Sequence, residues 1–152
     1  MRDRATMNGR RTAWAAALFL AAAAAQCGEE YQIPWDRLKD AAQRYLAACV
    51  SSKAQAKMAK KFKERTQQRV QDTGWSEDTA MRTIMLDWAA ANRGKLERKE
   101  NEAVAQACFY LVVFLDKGYL FPGQMRAALT PNVVDDILEF LEKEIKAGEH
   151  HL

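Results

Sequence analysis

The sequence predicts an all-α fold, a single helical bundle of four to five helices behind an N-terminal signal peptide, and three observations predict it. The first is the stretch from Ala103 to Leu115, AVAQACFYLVVFL, in which only Gln106 is clearly polar. A helix with no polar face must be surrounded by other helices or by lipid. Thirteen residues are too few to cross a bilayer, which takes about twenty, so this is the central helix of a bundle. The second observation is that apolar residues elsewhere recur at three- and four-residue steps. No segment sustains strand-like alternation, and no Asn-Gly or Asp-Gly turn lies between apolar runs. The third is punctuation: Gly74 and Gly118 sit where helices end, and Thr130 followed by Pro131 is a helix start.

Taken in order, residues 1–25 have the layout of a secretory signal. Arg2, Arg4, Arg10 and Arg11 form a positive n-region, with Met7 an alternative start. Ala13 to Ala25 is an apolar h-region too short to span a bilayer, and Ala23 and Ala25 satisfy the small-x-small rule for cleavage. Residues 26–34 read as a linker. Cys27 stands where a lipoprotein would be acylated, although Gln26 before it is larger than a lipobox allows.

The bundle domain is expected over residues 35–148. Trp35, Leu38, Ala42, Tyr45, Leu46 and Cys49 form a first buried stripe, followed after Ser51 and Ser52 by a thinner face of Ala56, Ala59 and Phe62. Periodicity alone leaves open whether residues 35–71 are one helix or two. Ser76 is placed to cap a helix running to about Asn92, with Met81, Ile84, Met85, Trp88 and Ala89 inward. Asn92, Arg93 and Gly94 read as a break. The central helix extends from about Leu96 to Asp116, closed by Lys117 and Gly118. Tyr119 to Phe121 form an aromatic turn, then a short helical segment starts at Pro122. The last helix buries Val134, Ile137, Leu138, Leu141 and Ile145 and stops at Gly148, leaving residues 149–152 as a tail.

Charge narrows the function classes. The formal net charge of +3 comes entirely from the first 26 residues, and the remainder balances at 19 basic against 19 acidic residues. The body is therefore not a bulk polycation, and no nucleic-acid partner is expected from its charge. No metal or cofactor is expected either. The only histidines, His150 and His151, lie in the tail, and CxxC, HExxH, calcium-loop, GxSxG and Gly-rich phosphate motifs are absent. The carboxylates Asp135, Asp136, Glu139 and Glu142 read as the solvated face of an amphipathic helix rather than a catalytic pair. With no acid, base and nucleophile set outside the tail, the expectation is a non-enzyme.

Two features remain. In an oxidising compartment two of the three cysteines should pair, and Cys49 with Cys108, both on apolar stripes, is the expected disulfide. The other feature is a basic stripe: Lys53, Lys57, Lys61, Arg65 and Arg69 fall at strict four-residue steps, with Lys60 and Lys63 beside them. Such a ridge either is a solvated face balanced by the acidic last helix or offers a surface to an anionic partner. The expectation is an exported protein, periplasmic or extracellular with an organelle lumen also open. It binds a protein partner, in an accessory, subunit or inhibitor-like role, through Lys53, Lys57, Lys61, Arg65, Arg69 and the aromatic corner at Tyr119 and Phe121. The alternative is a peripheral membrane protein or lipoprotein with the ridge on anionic lipid.

Overall fold

The computed structural model of the chain describes residues 31–149. The expected signal peptide, Cys27 and the two histidines lie outside the described residues. Within them the protein is all-helical, with seven helices where four to five were expected: α1 Trp35–Cys49, α2 Ser52–Thr73, α3 Glu77–Ala91, α4 Arg93–Glu97, α5 Asn101–Asp116, α6 Gly123–Ala128 and α7 Pro131–Glu149.

Two of the extra helices arise from breaks that sequence periodicity does not reveal. Residues 35–71 divide because Val50 and Ser51 are both extended. Ser51 then caps α2, its Oγ accepting from the Ala54 N–H at 3.1 Å, which supplies one of the partners that a helix N-terminus lacks. The central helix starts at Asn101 rather than near Leu96. Arg93 to Glu97 form a separate turn that ends in a left-handed residue, Lys99, with φ of 54°. The Lys99 N–H donates to the Leu96 carbonyl and the Glu100 N–H to the Lys95 carbonyl, both at 3.0 Å, the paired bonds of a Schellman close. A lysine occupies the position glycine usually takes because its side chain is used: Lys99 Nζ lies 3.7 Å from Asp136 Oδ2 and 5.0 Å from the Phe140 ring centroid, both on α7.

Other boundaries follow the expected chemistry. Gly74 (φ 75°) closes α2 and Gly118 (φ 71°) closes α5. At the second, the Tyr119 N–H reaches the Phe114 carbonyl at 3.0 Å and the two rings meet edge to face, the apolar contact that accompanies this cap. Pro131 is the first residue of α7. Ser76 precedes α3 as expected, but its hydroxyl bonds the side chains of Asp78 and Thr79 instead of a backbone N–H.

The bundle has two halves that share α5. In one, α1 packs against α5 and α7 around Leu38, Tyr45, Val104, Cys108, Val134, Leu141 and Ile145. In the other, α2 and α3 pair and bury Phe62, Met81, Ile84 and Met85 against Phe109, Tyr110 and Phe114 of α5, with Phe121 and Met125 closing the end. The halves are fastened differently. The α1–α7 seam carries the two-pronged Arg44–Glu142 pair, with the second contact at 3.2 Å. At its far end, a Cβ on Gly148 would stand 2.9 Å from Cys49 Sγ and 3.0 Å from the Ala48 carbonyl oxygen. Only a residue without a side chain lets α7 approach that closely.

The expected disulfide is not formed: Cys49 and Cys108 are both free thiols. Cys108 is buried as predicted, but Cys49 is exposed. It is the last residue of α1, at the end of the seam. Its thiol donates to the Glu144 carbonyl on α7 at 3.4 Å rather than bonding Cys108.

Candidate functional site

The inward line of α2 is Phe62 and Thr66, both buried, with Met58 and Val70 half-buried on either side of them. It is not Ala56 and Ala59, which are exposed. Each of Lys57, Lys61, Arg65 and Arg69 immediately precedes a member of that line. One residue is about 100° around a helix of 3.6 residues per turn, so the basic ridge runs along the shoulder of the buried face, at the boundary with the rest of the fold, rather than out toward open solvent.

That placement separates the predicted residues into three groups. Lys57, Lys61 and Arg65 come together as one wall of a cavity of about 550 Å³ between α2, α3, α5 and the end of α1. Its floor is apolar and largely aromatic: Tyr45, Met58, Phe62, Trp88 and Tyr110. Phe62 and Trp88 both meet the Tyr110 ring edge to face, at centroid distances of 5.2 and 5.3 Å. The far wall is α5, with Asn101, Glu102, Ala105 and Gln106, and the mouth is rimmed by Cys49, Val50, Ser51 and Ala54. Lys53 stands exposed one turn beyond this cavity.

Arg69, in contrast, is engaged within the fold. Its Nη1 donates to Asp87 Oδ2 at 2.9 Å and to Thr83 Oγ1 at 3.1 Å, which ties α2 to α3. The aromatic corner is not an open surface either. Phe121 is buried, stacked on Trp35 at 5.3 Å with 7° between the planes, and also packed on Phe114. Tyr119 is half-buried and its hydroxyl donates to Glu77 Oε1 at 3.2 Å, the oxygen that also takes Lys117 Nζ at 3.2 Å. Leu120, between them, is the exposed residue.

The ridge is not balanced by the acidic last helix. Helix α7 packs on α1, and two of its carboxylates are used within the fold: Glu142 by Arg44 of α1 and Asp136 by Lys99 of the α4–α5 turn. Asp135 and Glu139 are exposed, the solvated face that the amphipathic pattern predicts, whereas Asp136 is half-buried. Among the described residues, Lys53, Lys57, Lys60, Lys61, Lys63 and Arg65 form no ion pair. Lys39, Arg44, Arg69, Arg82 and Lys99 each have a carboxylate within 4.0 Å.

Burial shapes the titrating groups around the cavity. It pushes the Tyr110 phenol up to about 12, against the opposing effects of the Arg65 charge and a Gln106 hydrogen bond. Burial and then the Glu144 carboxylate raise the Cys49 thiol, while Cys108 is raised further by burial, with Cys49 a lesser cause. Neither thiol has a cation that would favour the thiolate needed for nucleophilic work. Among the described residues no group of three His, Cys, Asp or Glu could hold a metal ion, and no helix is long and apolar enough to cross a membrane.

Against known protein families, curated proteins and solved structures, the chain shows no match.

Proposed function

We propose that this chain is an exported, non-catalytic helical-bundle protein that works by binding an acidic protein partner along α2. The observation that carries this reading is the shoulder of Lys53, Lys57, Lys61 and Arg65, without ion-pair partners among the described residues, in a fold whose other helices pair Lys39, Arg44 and Arg82 internally. A row of like charges with few counter-charges repels itself, and an acidic partner both relieves that repulsion and is steered to such a surface. Export is supported by the signal-like layout of residues 1–25. A role as accessory protein, subunit or inhibitor fits binding without chemistry. Arg69, Tyr119 and Phe121 do not belong to the surface, being occupied inside the fold.

Anionic membrane is the weaker partner. A helix that lies on lipid pairs its basic face with large apolar residues that enter the interface, and the exposed face of α2 offers Ala54, Ala56 and Ala59 instead. Reversing Lys57, Lys61 and Arg65 to Glu tests the proposal. Capture of the partner that co-purifies from the native source is lost while the helical circular-dichroism signal is kept. Unchanged capture by the folded triple variant identifies the ridge as a solvated face only.

A further inference from the structure

We propose that the cavity beside the ridge is a binding site for a long-chain carboxylate, with the chain on the aromatic floor and the carboxylate at the cationic wall. Its volume of about 550 Å³ falls within the roughly 300–1,000 Å³ of small-molecule sites, which are mainly apolar with a few polar groups that fix orientation. The division of chemistry within it is sharp. Met58, Phe62, Trp88 and Tyr110 present carbon and ring faces, and the ionic groups are confined to the two walls. On one wall stand Lys57, Lys61 and Arg65, without ion-pair partners among the described residues; on the other stands a single carboxylate, Glu102. Three cations facing one anion favour an anionic head, and the carbon and ring surface of Met58, Phe62, Trp88 and Tyr110 favours an unbranched apolar chain behind it. Arg65 adds a planar fork suited to a carboxylate.

The site shares three cations with the partner-binding surface but does not depend on that reading, and one substitution separates the two. Ala54 is exposed at the mouth, so Ala54→Trp obstructs the cavity without touching the core or the ridge charges. The experiment uses the purified chain and a dansyl-labelled undecanoate, with dodecanoate, dodecanol and dodecyltrimethylammonium as competitors below their micelle concentrations. Dodecanoate is expected to displace the probe at one site. Dodecanol should be about ten-fold weaker or worse, as loss of a charged hydrogen bond implies, and the ammonium compound should not compete. Ala54→Trp and the Lys57→Glu, Lys61→Glu, Arg65→Glu triple variant should each weaken dodecanoate by about ten-fold or more. Bound dodecanoate should also slow alkylation of Cys49, which lies on the rim, as read by mass spectrometry of its peptide. Absence of saturable binding, equal binding of dodecanol and dodecanoate, or binding unaffected by Ala54→Trp would each overturn the proposal. Partner capture that survives Ala54→Trp leaves the ridge reading standing whichever way the ligand result falls.

Discussion

The two halves that share α5 solve the packing of a small bundle in opposite ways. Along the α1–α7 seam, aliphatic residues interlock, Gly148 brings the backbones into contact, and Arg44 pairs with Glu142 across the interface, while Lys99 in the α4–α5 turn pairs with Asp136 of α7. In the α2–α3 half, aromatic rings and methionines fill the space. Their larger and more adaptable shapes leave a cavity at the edge, and the cations bordering it have no ion-pair partner among the described residues. The seam is built to hold. The other half tolerates vacancy and uncompensated charge, the features a binding surface needs.

This contrast can be broken or sharpened by substitution. The largest effect is expected at Phe114, which is fully buried and joins the Tyr119 and Phe121 rings. Phe114→Ala should destabilise by about 3–5 kcal/mol, measured by denaturant unfolding. At the α4–α5 turn, Lys99→Ala should cost about 1–3 kcal/mol, because it strips the half-buried Asp136 of its cation while keeping a left-handed φ. Lys99→Gly relieves the backbone and loses the same ion pair, so it should fall between Lys99→Ala and the parent. Gly148→Ala forces α7 away from Ala48 and Cys49 and should cost about 1–3 kcal/mol. Adding Cys49→Ala to it should recover part of the loss in thermal unfolding, since the carbonyl contact remains.

Alkali should weaken the core between α1, α5 and α7 through Cys108. Burial raises that thiol in the folded state, so the folded protein holds a proton that the unfolded chain releases. Stability is therefore full below the ordinary thiol value and falls as pH rises through it. Above about pH 8.5 the loss should approach ~1.4 kcal/mol per pH unit for this one group. Comparing denaturation midpoints of the parent and Cys108→Ala from pH 7 to 11 isolates it, and parallel curves would refute the assignment. The smallest effect belongs to the ridge, where single reversals at Lys57 or Lys61 should change stability by no more than about 0.5 kcal/mol, even where binding is lost.

Much of this arrangement is legible in the sequence, for reasons particular to each residue. Gly74, Gly118 and Pro131 mark helix ends because their backbone preferences are nearly independent of context. The stripe of Met81, Ile84, Met85 and Ala89 is broad enough to fix the buried face of α3. The misses have equally specific causes. Lys99 adopts a conformation that lysine gives no signal for. Alanines fit either face of a helix, so Ala56 and Ala59 obscured the alignment that Met58 and Phe62 set. Cys49 lies on the right stripe, but at the last residue of its helix, where it is exposed and bonds the Glu144 carbonyl of α7. For the candidate site, the basic spacing was visible in the chain, and the cavity was not. Which cations find a carboxylate on another helix is a tertiary fact: Arg69 meets Asp87, and Arg65, one turn earlier, has no such partner among the described residues.

The membership of α5 in both halves has a further consequence for how the protein comes apart. Val104 and Cys108 anchor one core and Tyr110 and Phe114 the other, so neither half retains a complete core once this helix is withdrawn. Unfolding should proceed as one cooperative event rather than as two domains in succession. The amides of α5 should be the last to exchange with deuterium, opening only when the whole molecule does.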